Sequence, residues 1–136
     1  IGKGGELVPG EVAGLHPAGG TAEYMAGHML PVPAETGPSD GDLEERYVTA
    51  RYRITLSAEQ YEKVVGYIRH KQQTTKTWHA VLNNCNGFVA DIGNYMGLKA
   101  PSAMLLPADF IKSMRAMNGG TSRIALYQSA NAAQPQ

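Results

Sequence analysis

Between Asn84 and Gly97 the chain carries a full set of signals for a short helix. Asparagine ahead of such a run is a good N-cap, because its side-chain oxygen accepts from backbone N–H groups that the first turn leaves unpaired. Phe88, Val89, Ile92 and Met96 recur at helical spacing and form one apolar stripe. Gly97 stands where a left-handed residue ends a helix. The single cysteine, Cys85, falls at the first helical position. There the positive pole of the helix dipole favours thiolate over thiol and makes the sulfur a usable nucleophile. The competing assignment is that Cys85 continues the stripe of Phe88 and Ile92 as a small buried hydrophobe.

The best strand signal lies further upstream. From Tyr47 to Leu56, Val48, Ala50, Tyr52, Ile54 and Leu56 alternate with Thr49, Arg51, Arg53 and Thr55. Such a period-2 pattern predicts a strand of an antiparallel sheet with one wet face carrying the arginines. Ser57-Ala58-Glu59-Gln60 then reads as a capping box, and Tyr61, Val64, Val65 and Ile68 give the buried stripe of a helix ending near Lys71. Arg69, His70 and Lys71 suit the negative pole at its end. Gln72 to Thr77 reads as a polar linker, and Leu98 to Pro101 as a connector. Pro107 opens a further helix with Phe110, Ile111, Met114 and Met117 on its buried side, ended by Gly119-Gly120.

The remaining segments are less regular. Ile1 to Gly10 reads as a strand end and a turn, and Glu11 to His16 as a short strand halted by Pro17. Ala22 to Ala26 can form a helical turn, after which Pro31, Pro33, Pro38 and the Ser39–Asp42 run predict a loop. Arg123 to Tyr127 reads as a last strand, and residues 129–136 as a disordered tail after a single domain over 1–128. The four methionines Met96, Met104, Met114 and Met117 read as adaptable core filler. Together these elements predict an α+β fold, a small antiparallel sheet with two or three packed helices, and 136 residues suffice for one such domain.

Several function classes are excluded by pattern. With 12 basic and 12 acidic residues the formal charge is zero, so no electrostatic footprint for nucleic acid or an anionic membrane is present. No apolar run is long enough to span a bilayer. The glycine pairs lack the spacing of a phosphate-cradling loop. Asp40, Asp42, Glu44 and Glu45 lack the register of a calcium loop and read as a solvated acidic loop. One cysteine and four histidines without a His-x-x-x-His pair disfavour a zinc site, and no metal or cofactor is expected.

The residues Asn83-Asn84-Cys85-Asn86-Gly87-Phe88-Val89, preceded by Ala80-Val81-Leu82, resemble the Asn-Cys-x-x-Phe-Val signature of the permuted NlpC/P60-like (papain-like) superfamily, which includes the lecithin:retinol acyltransferase-like proteins and related bacterial domains. The resemblance implies a nucleophilic Cys85 opening a helix packed on an antiparallel sheet. It also implies that the catalytic histidine and a third polar residue come from two earlier strands. The setting Val12-Ala13-Gly14-Leu15-His16-Pro17 resembles the second of these strands, which makes His16 the residue that orients the base, or the base itself. A strand-end histidine facing solvent is the alternative. The family's base lies on the preceding strand, and Ile1 to Gly5 contains no histidine. The expectation is that the base lies upstream of Ile1. The alternatives are that His28 substitutes for it or that the site is inactive, and His79 is a further candidate at the rim.

On this resemblance the chain is a cysteine hydrolase or acyl-transfer domain acting on amide bonds through a Cys85 thioester, with the oxyanion met by the Cys85 N–H and an amide of Asn83 or Asn84. The implied substrate is a bacterial cell-wall (peptidoglycan) peptide bond, with an acyl ester as alternative. A secreted, periplasmic or injected effector would have an immunity protein as partner. The alternative function is a non-catalytic binding or assembly module that keeps the papain-like fold.

Overall fold

Both helix caps expected from the sequence form. In the computed structural model, which describes residues 9–38 and 44–119, Ser57 Oγ accepts from the Gln60 N–H at 3.2 Å and Gln60 Oε1 accepts from the Ser57 N–H at 2.9 Å. This box starts α2, Ala58–Thr74, which runs one turn beyond the expected end near Lys71. Asn84 caps α3, Cys85–Tyr95, by accepting from the Gly87 N–H at 2.9 Å. The far end of α3 closes as a Schellman turn. Gly97 has φ +79°, its N–H donates to Asn94 O, and the Leu98 N–H donates to Gly93 O. Two further helices flank this pair, α1 at Thr21–Ala26 and α4 at Pro107–Met117, the latter beginning on its proline as expected.

The fold class is α+β, with a three-stranded antiparallel sheet in the order β1-β2-β3. The strands are short: β1 is His16–Pro17, β2 Val32–Glu35 and β3 Thr77–Trp78. His16 pairs with Glu35 and Pro17 with Ala34, while Val32 pairs with Trp78 and Pro33 with Thr77.

Three expectations are corrected here. Residues 32–35 form the central strand instead of a loop. Pro33 is tolerated there because its carbonyl still accepts from the Ala18 N–H at 2.8 Å, and the donor it lacks would face Ala18, just past the end of β1. The expected Glu11–His16 strand is a 3-10 turn at Pro9–Glu11 followed by irregular chain, and Pro17 lies inside β1 instead of halting it. The segment expected as the cleanest strand, Tyr47–Leu56, joins no ladder among the described residues, and its start is a 3-10 turn at Glu45–Tyr47. Its alternation is nonetheless physical. Ala50, Tyr52, Ile54 and Leu56 are half-buried and Arg51, Arg53 and Thr55 exposed, whereas Val48, expected on the covered face, is exposed, so from Ala50 onward the pattern encodes burial of one face without a backbone partner. The expectations for residues 1–8, for Asp40 and Asp42, for the 123–127 strand and for the 129–136 tail lie outside the described residues.

Three buried clusters join these parts. Leu15, Val32 and Trp78 from the sheet side pack with Phe88 of α3. Val64 and Ile68 of α2 meet Leu56, Ile92 and Met96. Leu98, Phe110 and Met114 are covered by Tyr52, Ile54 and Val89. The methionine expectation divides: Met114 is buried and Met96 half-buried, whereas Met104 and Met117 are 62% and 48% exposed, so those two are not core filler.

Two buried glycines mark close approaches of different hardness. A Cβ at Gly27 would lie 2.3 Å from Trp78 Cζ3, an atom of a rigid ring already buried, whereas a Cβ at Gly93 would lie 2.1 Å from the terminal methyl of Met114. Gly27→Ala is expected to destabilise by about 2–3 kcal/mol and Gly93→Ala by about 1 kcal/mol, because only the methionine can swing aside. Urea unfolding midpoints of the two variants check this order.

Candidate functional site

Cys85 is presented by a tight hairpin that bridges β3 and α3. His79 and Asn83 exchange backbone hydrogen bonds at 3.0 and 3.1 Å. The Ala80 N–H donates to Gly27 O at 2.9 Å, tying the hairpin to the end of α1. The Val81 and Leu82 N–H groups both donate to His79 Nδ1 at 3.1 Å. Every backbone N–H from His79 to Asn83 therefore has a named acceptor, and the turn has no donor left over.

Three asparagines then fix the helix start. Asn83 Nδ2 donates to Thr77 O at 2.6 Å. Asn84, besides capping α3, donates through Nδ2 to Ala80 O at 2.9 Å and Ala103 O at 3.0 Å. Asn86 donates to Ala103 O at 3.2 Å and Leu105 O at 2.6 Å. Asn84 and Asn86 are both buried. Their amides clamp the 103–105 segment across the mouth of α3; both N–H donors of the Asn84 amide are engaged on carbonyls, whereas Asn83 engages one of its two on Thr77 O.

Cys85 itself is half-buried and unoxidised. Among the described residues its sulfur has no hydrogen-bond partner. The Cys85 and Asn86 N–H groups, the first two of the helix, have no acceptor among the described residues either, whereas the Gly87 and Phe88 N–H groups are taken by Asn84.

The histidines are spread over different elements. His16 is on β1, where its Nε2–H donates to Gly37 O at 3.4 Å and its Nδ1 lies 4.0 Å from the Glu35 carboxylate on the adjacent strand. His28 is exposed just after α1, donates through Nδ1 to Tyr24 O at 2.9 Å, and stands edge-on to Trp78 at 6.0 Å. His70 is exposed near the end of α2, and His79 is buried in the hairpin. No hydrogen bond brings His16 or His28 to Cys85. Among the described residues no group of three or more His, Cys, Asp or Glu side chains is arranged to hold a metal ion.

Comparison with protein-family models, with curated proteins and with solved structures finds no match.

The site's chemistry therefore rests on what these side chains offer. It consists of a half-exposed thiol, two helix-end N–H groups with no acceptor among the described residues, and an imidazole–carboxylate pair on the sheet onto which the helix packs through Phe88. The sequence pointed to Cys85 and its cap but missed Asn86 and Glu35. Asparagine on both sides of the cysteine was the available signal for the first, and nothing in the sequence paired Glu35 with His16.

Asn84→Ala removes a cap and two carbonyl contacts, with an expected cost of about 2–3 kcal/mol. Asn84→Asp keeps the capping oxygen but turns an acceptor toward two carbonyls, and it is expected to recover less than half of that loss at neutral pH. Denaturant unfolding of the three proteins measures the difference.

Proposed function

We propose that the chain is a thiol hydrolase or acyl-transfer domain of the permuted NlpC/P60-like, papain-like kind, in which Cys85 is the nucleophile and the substrate an amide. The observation that carries this reading is the placement of Cys85. It is half-exposed as the first residue of α3, beside two backbone N–H groups that have no acceptor among the described residues, on a helix packed by Phe88 against an antiparallel sheet bearing His16. In this reading the thiolate attacks the amide carbonyl and a C–S bond forms. The oxyanion accepts from the Cys85 and Asn86 N–H groups. The C–N bond then breaks as the amine takes a proton, leaving a thioester that water or another acceptor resolves.

In this reading His16, with Glu35 beside it, orients or supplies the base. By family resemblance alone the amide is a bacterial cell-wall peptide bond and the partner of a secreted effector an immunity protein. No helix among the described residues is long and apolar enough to cross a membrane.

One observation favours the second reading, a binding or assembly module that keeps the fold without the chemistry: the Cys85 sulfur has no imidazole partner among the described residues. Iodoacetamide alkylation separates the two. An ordinary thiol slows about a hundredfold between about pH 8.5 and about pH 6. A thiol that serves as the nucleophile is expected to slow less than tenfold over the same range. Trapping a Cys85 thioester from a peptide p-nitroanilide, absent in Cys85→Ser, supports the enzyme; ordinary alkylation with no trapped acyl group supports the module.

A further inference from the structure

His79 makes a contact that no other histidine of the described chain makes. Its Nδ1 lies 3.1 Å from both the Val81 and the Leu82 N–H groups. Two donors aimed at one ring nitrogen require a lone pair there, so the ring proton of the neutral imidazole is on Nε2. We propose that His79 is the positioning residue of the hairpin that delivers Cys85, and that it works as a proton-sensitive latch, holding the turn while Nδ1 is unprotonated and releasing it when Nδ1 takes a proton.

The chemistry follows from the donor count. A charged imidazole has two N–H donors and no acceptor, so both turn amides would face an N–H and would have to turn outward to water. Val81 and Leu82 are exposed, so this release needs no unfolding of the core. The Ala80 carbonyl, which accepts from Asn84 Nδ2, sits in the same turn, so the release reaches the residue that caps α3 and precedes Cys85.

The other histidines respond differently. His28 and His16 each donate to a backbone carbonyl, a contact a protonated ring keeps, and a proton on His16 Nδ1 also strengthens its approach to Glu35. His70 is exposed on α2. The ionisable groups brought toward the hairpin are Glu23, Tyr24 and His28 through the Gly27–Ala80 bond, Lys76 from the approach to β3, and Cys85 from α3. Residues 100–106 bring none. None of these groups is joined to the His79 ring by an ion pair or hydrogen bond among the described residues.

The test compares wild type with His79→Asn, His79→Gln and His79→Ala. Asparagine places an oxygen where Nδ1 stands and cannot take a proton near neutrality; glutamine places its oxygen one atom further out. At about pH 8, His79→Asn is expected to melt within about 2 °C of wild type and the other two about 5 °C lower. Between about pH 8 and about pH 5 wild type is expected to fall about 5 °C relative to His79→Asn, with Cys85 alkylation rising about threefold relative to that variant. Parallel pH profiles of wild type and His79→Asn overturn the proposal, as does a His79→Gln protein that matches His79→Asn. Should the Gln and Ala variants not fold, 15N spectra of the wild-type imidazole decide. A proton on Nε2 alone at about pH 8, with Nδ1 gaining one as the melting temperature falls, is expected, and a proton on Nδ1 at about pH 8 overturns it. None of these outcomes depends on Cys85 being catalytic, so the latch and the enzyme reading stand or fall separately.

Discussion

Asn84 accepts from the Gly87 N–H and donates to both Ala80 and Ala103, so one buried planar amide joins the start of α3, the preceding hairpin and the segment leading to α4. Each of these three places ends a piece of chain where backbone groups would otherwise be left unpaired. Burial raises the stakes, because an amide with three partners away from water stabilises only while all three remain in place. Asn86 repeats the arrangement one step along, donating to Ala103 and Leu105. The position of Cys85 is thus set by its two neighbours more than by any contact of its own.

Beneath that polar joint lies the packing of Trp78 and Phe88. Trp78 ends β3, faces Gly27 at the end of α1, and shares a cluster with Leu15, Val32 and Phe88. The same residues that pair the strands therefore hold the helix against them. Lys71 adds a bracket from α2: its ammonium lies 5.3 Å from the centre of the Phe88 ring and pairs with Asp91 one turn further along α3. Sheet, α2 and α3 meet at Phe88, which is why the first turn of α3 is well determined although the strands are only a few residues long.

Local signals in the sequence were legible where the partner was local. Ser57 with Gln60, Asn84 with Gly87, Gly97 and Pro107 each act within a few residues, and each was found in place. The strands were not legible for the opposite reason. Of residues 32–35 only Val32 favours a strand, and the proline, alanine and glutamate do not; they are a strand because His16–Pro17 and Thr77–Trp78 pair with them from either side. Tyr47–Leu56 had the stronger pattern, but alternation reports which side chains are covered and carries no information about a hydrogen-bonding neighbour. Around Cys85, capping was legible from Asn84, whereas the carbonyls of Ala103 and Leu105 that the asparagines bind are distant in sequence and leave no trace in it.

The brevity of the strands has a consequence for how the molecule opens. Each ladder contains two residue pairs, so the sheet contributes few backbone bonds, while α2 and α3 carry continuous internal ones between sealed ends. Parting β1 from β2 breaks the Gly14–Thr36 and Ala18–Pro33 backbone bonds and the His16–Gly37 contact, fewer bonds than either α2 or α3 holds internally, so strand amides are expected to be exposed before those in the middle of the helices. The two helices thus form the keel expected to exchange its amides last, and His16 rides on the more lightly fastened sheet.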